Sequence, residues 1–275
     1  MRAQRRKYPR KSDTNHEEYP VRNIWTICCK ELGSYFVSPI AYLLLTVFGV
    51  VFGFFFWNAL GFFVVEGMES QMRGQAFPMN LNEQIVRPLL MNTGVVFLFF
   101  VPLITMRLFA EEKRMGTIEL LATSPVRDVE VILGKWLAAM ILYASLLGFT
   151  ALDFAFLFLY GKPDWKPLLV GYLGLLLQGG LFLALGEFIS TTTKNQIIAG
   201  AVTFAVLILL WVLDWVTGYE TAKWATVVAY CSVIPHFESF ARGVIDTKDL
   251  VFYVSGIFLG LFWTARSMES LRWRS

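Results

Sequence analysis

Residues 107–135, RLFAEEKRMGTIELLATSPVRDVEVILGK, hold the densest group of functional side chains in the sequence and separate two long apolar runs. Glu111, Glu112, Arg114, Gly116, Thr117, Glu119 and Leu121 follow one another here without a histidine to act as a base. Such a set suits protein docking better than bond making. The segment is expected to leave the apolar run as a helix and to break or bend at Gly116, since glycine weakens a helix interior. Ile118, Leu120 and Leu121 then give a short apolar ridge. Ser124-Pro125 reads as a new helix start, with Asp128 and Glu130 in its first turn to meet the positive end of the helix dipole. The expected product is a short transverse helix braced by two bends, able to insert into a groove on a soluble partner. A solvated connector is the plainer alternative, and the ridge, the bends and the paired acids weigh against it.

The remaining polar residues add little chemistry. Asp153 falls inside an apolar run, where a charge costs roughly 2.5–3.5 kcal/mol on insertion scales, so it is expected to face protein or water. It reads either as a contact on a translocation path or as one half of a helix-to-helix hydrogen bond, with Gln178 as the candidate partner. Glu187 and Asp214 lie near the ends of apolar runs and are expected at the membrane interface. The only histidines, His16 and His236, stand far apart, and GxSxG and HExxH are absent. A serine hydrolase or a zinc enzyme is therefore disfavoured. No GxxxxGK[ST] occurs, so this chain is not expected to hold ATP. Cys28, Cys29 and Cys231 imply no disulfide framework and lack metal-ligand spacing. Phe54-Phe55-Phe56 and Phe97, Phe99 and Phe100 suit a lipid-facing or bundle-filling role better than a pathway lining.

These residues are carried by a membrane protein. The 275 residues are 56% hydrophobic and 16% charged, with a mean hydropathy of +0.55. A soluble globular domain is less apolar. Crossing the hydrocarbon takes about 20 apolar residues, and six helical spans are expected near 40–64, 89–107, 136–160, 168–189, 196–215 and 250–267. Runs of this length exclude the strands of a barrel. The fold class is thus all-α and polytopic. Lys and Arg concentrate in the first 30 residues, in 107–135 and at the chain's end, which places both termini and the 107–135 loop in the cytoplasm. Residues 1–20 read as a basic tail near anionic headgroups rather than a cleaved signal. A nucleic-acid role is not expected beside six spans. Over 21–38, Val21, Ile24, Trp25, Cys28, Leu32 and Phe36 recur at helical spacing, which predicts an amphipathic interfacial helix turning into the first span at Ser38-Pro39. The remainder, 21–275, reads as one transmembrane domain. Gly171, Gly174, Gly179, Gly180 and Gly186 let the fourth span pack inside the bundle. Residues 217–249 predict short helices capping the outer side, with Trp224, Val227, Val228, Cys231 and Ile234 partly buried, a break at Pro235, and a restart over 237–244.

Three stretches carry a family resemblance. Ala110–Ala138, AEEKRMGTIELLATSPVRDVEVILGKWLA, resembles the signature of the ABC-2 class of ABC exporter permeases. Lys30–Phe48 is similar to that class's interfacial helix and first span, and His236–Ser255 to the segment entering its last span. Within the class, the sequence looks most like permeases associated with gliding motility and with copper-enzyme maturation. The resemblance implies a transporter subunit rather than an enzyme, set in a bacterial inner membrane. It implies pairing with a second permease subunit, identical or not, and with separate ATP-binding subunits that would hold ATP and Mg²⁺. It also implies that the 107–135 loop is the coupling helix. Glu111, Glu112, Arg114, Gly116, Thr117, Glu119 and Leu121 match the motif and would lie at or beside the ATPase contact, while Asp153 and Gln178 would be candidates for the path. A scaffold that only anchors a cytoplasmic partner is the alternative.

Overall fold

The computed structural model describes residues 20–74, 80–118, 126–217 and 228–272, and the elements among them are all helical. They are α1 (Pro20–Val37), α2 (Pro39–Met72), α3 (Arg87–Thr105), α4 (Ala110–Met115), α5 (Asp128–Tyr160), α6 (Trp165–Thr192), α7 (Gln196–Thr217), α8 (Val233–Ala241) and α9 (Thr247–Arg272). A π-helical turn, Asn82–Val86, leads into α3. Six of these segments are long and apolar enough to cross a membrane, as the sequence predicts. Several outrun their expected bounds. The first continues to Met72, and the third starts at Asp128 and runs unbroken through Lys135 to Tyr160.

Glycine decides the centre of the bundle. Helix α6 packs against α3, α5, α7, α8 and α9. It does so by presenting hydrogen atoms where other residues carry side chains. A Cβ on Gly171 would meet Leu90 at 2.3 Å, one on Gly174 would meet Phe240 at 2.5 Å, and one on Gly186 would meet Thr105 at 2.4 Å. Close backbone approach adds van der Waals contact where lipid offers no hydrophobic drive between helices. Trp136 donates from Nε1 to the Gly180 carbonyl at 3.2 Å, and Tyr143 from its hydroxyl to the Leu175 carbonyl at 2.8 Å. Helices α2, α7 and α9 turn most of their surface outward. Phe54 on α2 and Phe99 on α3 are exposed, whereas Phe97 on α3 is fully buried.

At the junction of α1 and α2, Ser38 caps α2 by accepting from the Ile40 amide at 3.4 Å, ahead of Pro39 in the first turn. The face of α1 turned to the bundle overlaps the one predicted, since Cys28 is buried and Ile24, Leu32 and Phe36 are half-buried, but it is rotated at its start. Ile24, Ile27, Cys28, Glu31 and Tyr35 face inward, while Val21 and Trp25 stay exposed at 76% and 59%. The shift follows from Gly134 on α5, against which Ile27 is seated so closely that a Cβ would lie 2.8 Å away. Burial pushes the Cys28 thiol up from its ordinary value, with Cys29 adding to the effect, so it acts as a small apolar residue.

At the opposite end α8 contains Pro235 in its first turn instead of being broken by it. The first four amides of a helix need no internal acceptor, so proline is tolerated there. The chain leaves α8 through Gly243 at φ 81°, which only glycine adopts freely. Trp224 and Val227 lie outside the described residues. His236 on α8 is buried and ties this cap to α9. Its Nε2 donates to the Tyr230 carbonyl at 3.0 Å, its Nδ1 meets Asp249 Oδ1 at 2.7 Å, and its ring stacks on Phe252 at 4.0 Å. Replacing His236 by Ala is expected to lower stability by about 2–4 kcal/mol, because it strands a buried carboxylate and opens a cavity. The midpoint of detergent-solubilised unfolding checks this.

Candidate functional site

The helix that ends at Thr105 does not run straight on into the 107–118 segment. It turns at Met106–Phe109, after Pro102 has removed one backbone donor from the ladder. The new start is capped from another helix. Ser190 Oγ on α6 accepts from the amides of Phe109 and Ala110, each at 3.1 Å, and donates to the Met106 carbonyl at 3.4 Å. Helix α4 then makes little more than one turn and stops at Gly116, whose φ of 73° is left-handed. The Thr117 amide closes that turn on the Glu112 carbonyl at 3.1 Å. The break expected at Gly116 is present. The bend at 106–109 was not expected, since a serine 80 residues away in the sequence satisfies it.

At α4 lies a charge cluster drawn from three helices. Lys135 of α5 is 2% exposed, and its Nζ bridges Glu31 of α1 at 2.8 Å and Glu112 of α4 at 2.9 Å. The same ammonium sits 5.2 Å over the Phe109 ring. Lys135 thus belongs to the bundle rather than to a solvated loop. Glu111 turns the other way and pairs with Arg107 at 3.0 Å. Lys113 donates from Nζ to the Thr191 carbonyl, and Thr191 Oγ1 donates to Ser267 Oγ on α9 at 2.7 Å. Above the cluster, Tyr35 donates to the Ile104 carbonyl at 3.0 Å. Burial, reinforced by Glu31, holds its phenol far above the ordinary value, so it stays neutral. Nearby, Glu130 Oε2 accepts from Asn23 at 3.1 Å and from the Arg127 amide at 3.3 Å, which fixes α1 to the start of α5.

The residues singled out in the sequence divide accordingly. Glu111 and Glu112 point into ion pairs. Arg114, Met115 and Gly116 are exposed at the tip, with Thr117 half-buried behind them. Glu119, Leu121, Ser124 and Pro125 lie outside the described residues, but the helix expected to start at Ser124-Pro125 begins instead at Asp128, after the non-helical Val126 and Arg127, with Arg127 in the N-cap position and Glu130 closing on its amide. Asp153 and Gln178 are not brought together. Asp153 borders a groove of about 390 Å³ between α2 and α5, beside Thr46, Gly49, Phe149 and Thr150. Gln178 lines a separate cavity of about 120 Å³ with Asn92, Trp211 and Phe237, and its Oε1 has no donor. Glu187 is not interfacial but completely buried, because α6 extends past it and its end packs against the α3–α4 bend and α9. The Asp214 side chain lies outside the described residues. Among the described residues, no group of three or more His, Cys, Asp or Glu is placed to hold a metal ion.

Six apolar helices with a charged, internally tethered spur between the second and third define a polytopic membrane protein. Residues 25–232 match the ABC-2 family transporter protein family, and the chain belongs to it. It is a membrane component of an ABC transporter, the part that is typically not catalytic. No curated protein matches the chain.

Proposed function

We propose that this chain is the permease half of an exporter and that the 107–135 region, with α4 at its head, is the coupling element for separate ATP-binding subunits. The supporting observation is the division of α4. Its tip, Arg114–Gly116, is free, while its inner side is held by Glu112 to Lys135, by Ser190 at its start and by Lys113 to Thr191. A push on the tip therefore reaches α5 and α6 through short polar contacts rather than through a slack loop. The charge distribution supports a cytoplasmic tip and cytoplasmic termini with α1 lying at the interface, and the family supports a bacterial inner membrane. A second permease subunit, identical or related, completes the path in the lipid bilayer, and ATP with Mg²⁺ stays on the partner. The half-exposed carboxylate of Asp153, in an open groove beside α2, is the better candidate for a path contact. Gln178 lies on the far side of α5 and would join the path only after a rearrangement.

Two variants separate docking from transmission. Arg114→Glu with Met115→Asp alters the exposed tip, and loss of the co-purifying ATP-hydrolysing subunit is the expected result. Glu111→Ala with Glu112→Ala leaves the tip in place and is expected to keep the partner while cutting ATP hydrolysis roughly five- to tenfold, a modest coupling energy. A pull-down from native membranes followed by an ATPase assay reads both. If no hydrolysing subunit accompanies the unaltered chain, the exporter reading fails and a membrane scaffold replaces it.

A further inference from the structure

Among the described residues, Glu187 is a carboxylate at the heart of the bundle that has no use in the arrangement described. It is 0% exposed, and neither Oε1 nor Oε2 receives a hydrogen bond. A buried acid without a donor is costly and calls for an explanation. Its position supplies one. Gly186 abuts Thr105 at the end of α3, and Ser190, one turn on, caps α4, so Glu187 lies on the face of α6 that meets the α3–α4 bend. The same bend is bordered by Lys135, whose Nζ lies over the ring of Phe109 while Ser190 caps that residue's amide, by Glu31, which pairs with Lys135, and by Tyr35, which bonds the Ile104 carbonyl. The one cation among them is fully committed, held between Glu31 and Glu112.

Resting on the coupling function proposed above, we propose that Glu187 is the second seat of Lys135. When the ATP-binding partner draws α4 and Glu112 away, Lys135 passes to Glu187 and shifts α5 against α6. When α4 returns, Glu112 reclaims it. Each seat keeps the buried ammonium paired, so the two arrangements can lie close in free energy, as a two-state element requires. Glu112 belongs to the moving spur, whereas Glu187 belongs to the glycine-lined helix at the bundle's centre. The exchange therefore converts a movement of α4 into a change of α5–α6 packing. Glu187 is a positioning residue, and it is needed only in the state in which Lys135 has left Glu112.

That asymmetry is testable, because a structural acid would behave differently. The experiment uses the complex of the full chain with its co-purifying ATP-hydrolysing subunit, with ATP as the probe. Glu187→Gln keeps the shape and removes an unpaired acid, so the unfolding midpoint should stay unchanged or rise, while ATP hydrolysis falls about fivefold or more. Glu187→Asp retains a carboxylate and should recover part of the rate. A fall of stability and rate together in Glu187→Gln would assign the residue a structural role and overturn the proposal, as would a Glu187→Asp rate no better than that of Glu187→Gln. Hydrolysis by Glu187→Gln at the unaltered rate would also overturn it. If the Arg114→Glu, Met115→Asp variant still loses its partner in that last case, the coupling function stands and only the exchange falls.

Discussion

Lys135→Met is expected to destabilise the chain by about 3 kcal/mol, which places it among the most damaging single changes open to this sequence. The substitution nearly preserves the length of the side chain, so the loss is electrostatic rather than steric. Glu31 and Glu112 would be left facing each other without the ammonium that sits 2.8 and 2.9 Å from them. Their side chains are mostly covered, at 15% and 17% exposure, so water cannot fully replace the lost partner. The Phe109 ring would lose its cation as well. The diagnostic step is rescue. Adding Glu31→Gln and Glu112→Gln to Lys135→Met removes the stranded charges and should restore most of the stability, because a buried ion pair is worth little against neutral groups of similar shape. The triple variant should nevertheless remain uncoupled from ATP hydrolysis. Unfolding midpoints in detergent, read beside ATPase rates, give both results. If Lys135→Met alone unfolds like the unaltered chain, the cluster does not bear on stability.

How much of this was readable beforehand depends on what each residue answers to. The six spans follow from hydropathy, because backbone in lipid has few ways to satisfy itself. The glycines of α6 announced close packing, and the break at Gly116 follows from its own conformational freedom. The charge cluster was hidden because its members answer to distant partners. Lys135 follows a charged loop and reads as its last member. Yet it shares a helical face with Val131, Ile132, Ala138, Ala139 and Leu142, all buried, and that periodicity was the available signal. Glu31 likewise falls in step with Ile24, Cys28 and Tyr35 on the inner face of α1. A long-range ion pair needs both helices in place before either residue declares itself. The bend at 106–109 was illegible for the same reason, since Ser190 supplies the cap from another helix. The separation of Asp153 from Gln178 depends on which faces of α5 and α6 meet, and Gly179 settles that.

Gly179→Val should be at least as disruptive as the loss of Lys135, by about 3 kcal/mol or more, and for a steric reason. A Cβ at this position would lie 2.3, 2.4 and 2.8 Å from three ring atoms of Tyr143. The ring has nowhere to go. It is 0% exposed, its hydroxyl is fixed on the Leu175 carbonyl, and Phe97 packs against it with centroids 4.1 Å apart. Relief must therefore come from separating α5 from α6, which would also pull the Trp136 indole off the Gly180 carbonyl. The expected outcome is a sharp drop in the monodisperse fraction on size-exclusion chromatography. Gly53→Ala is the control. It lies within α2, where an added Cβ meets nothing within 4 Å, and it should be neutral or slightly stabilising because alanine favours the helix. Tyr143→Leu combined with Gly179→Val should regain part of the loss by vacating the space the new side chain needs. No recovery in the pair would mean that the damage arises elsewhere than at this crossing. The same crossing is the joint that the Lys135 exchange would move. A variant that props α5 and α6 apart without unfolding them should therefore uncouple ATP hydrolysis even with every charge of the cluster in place.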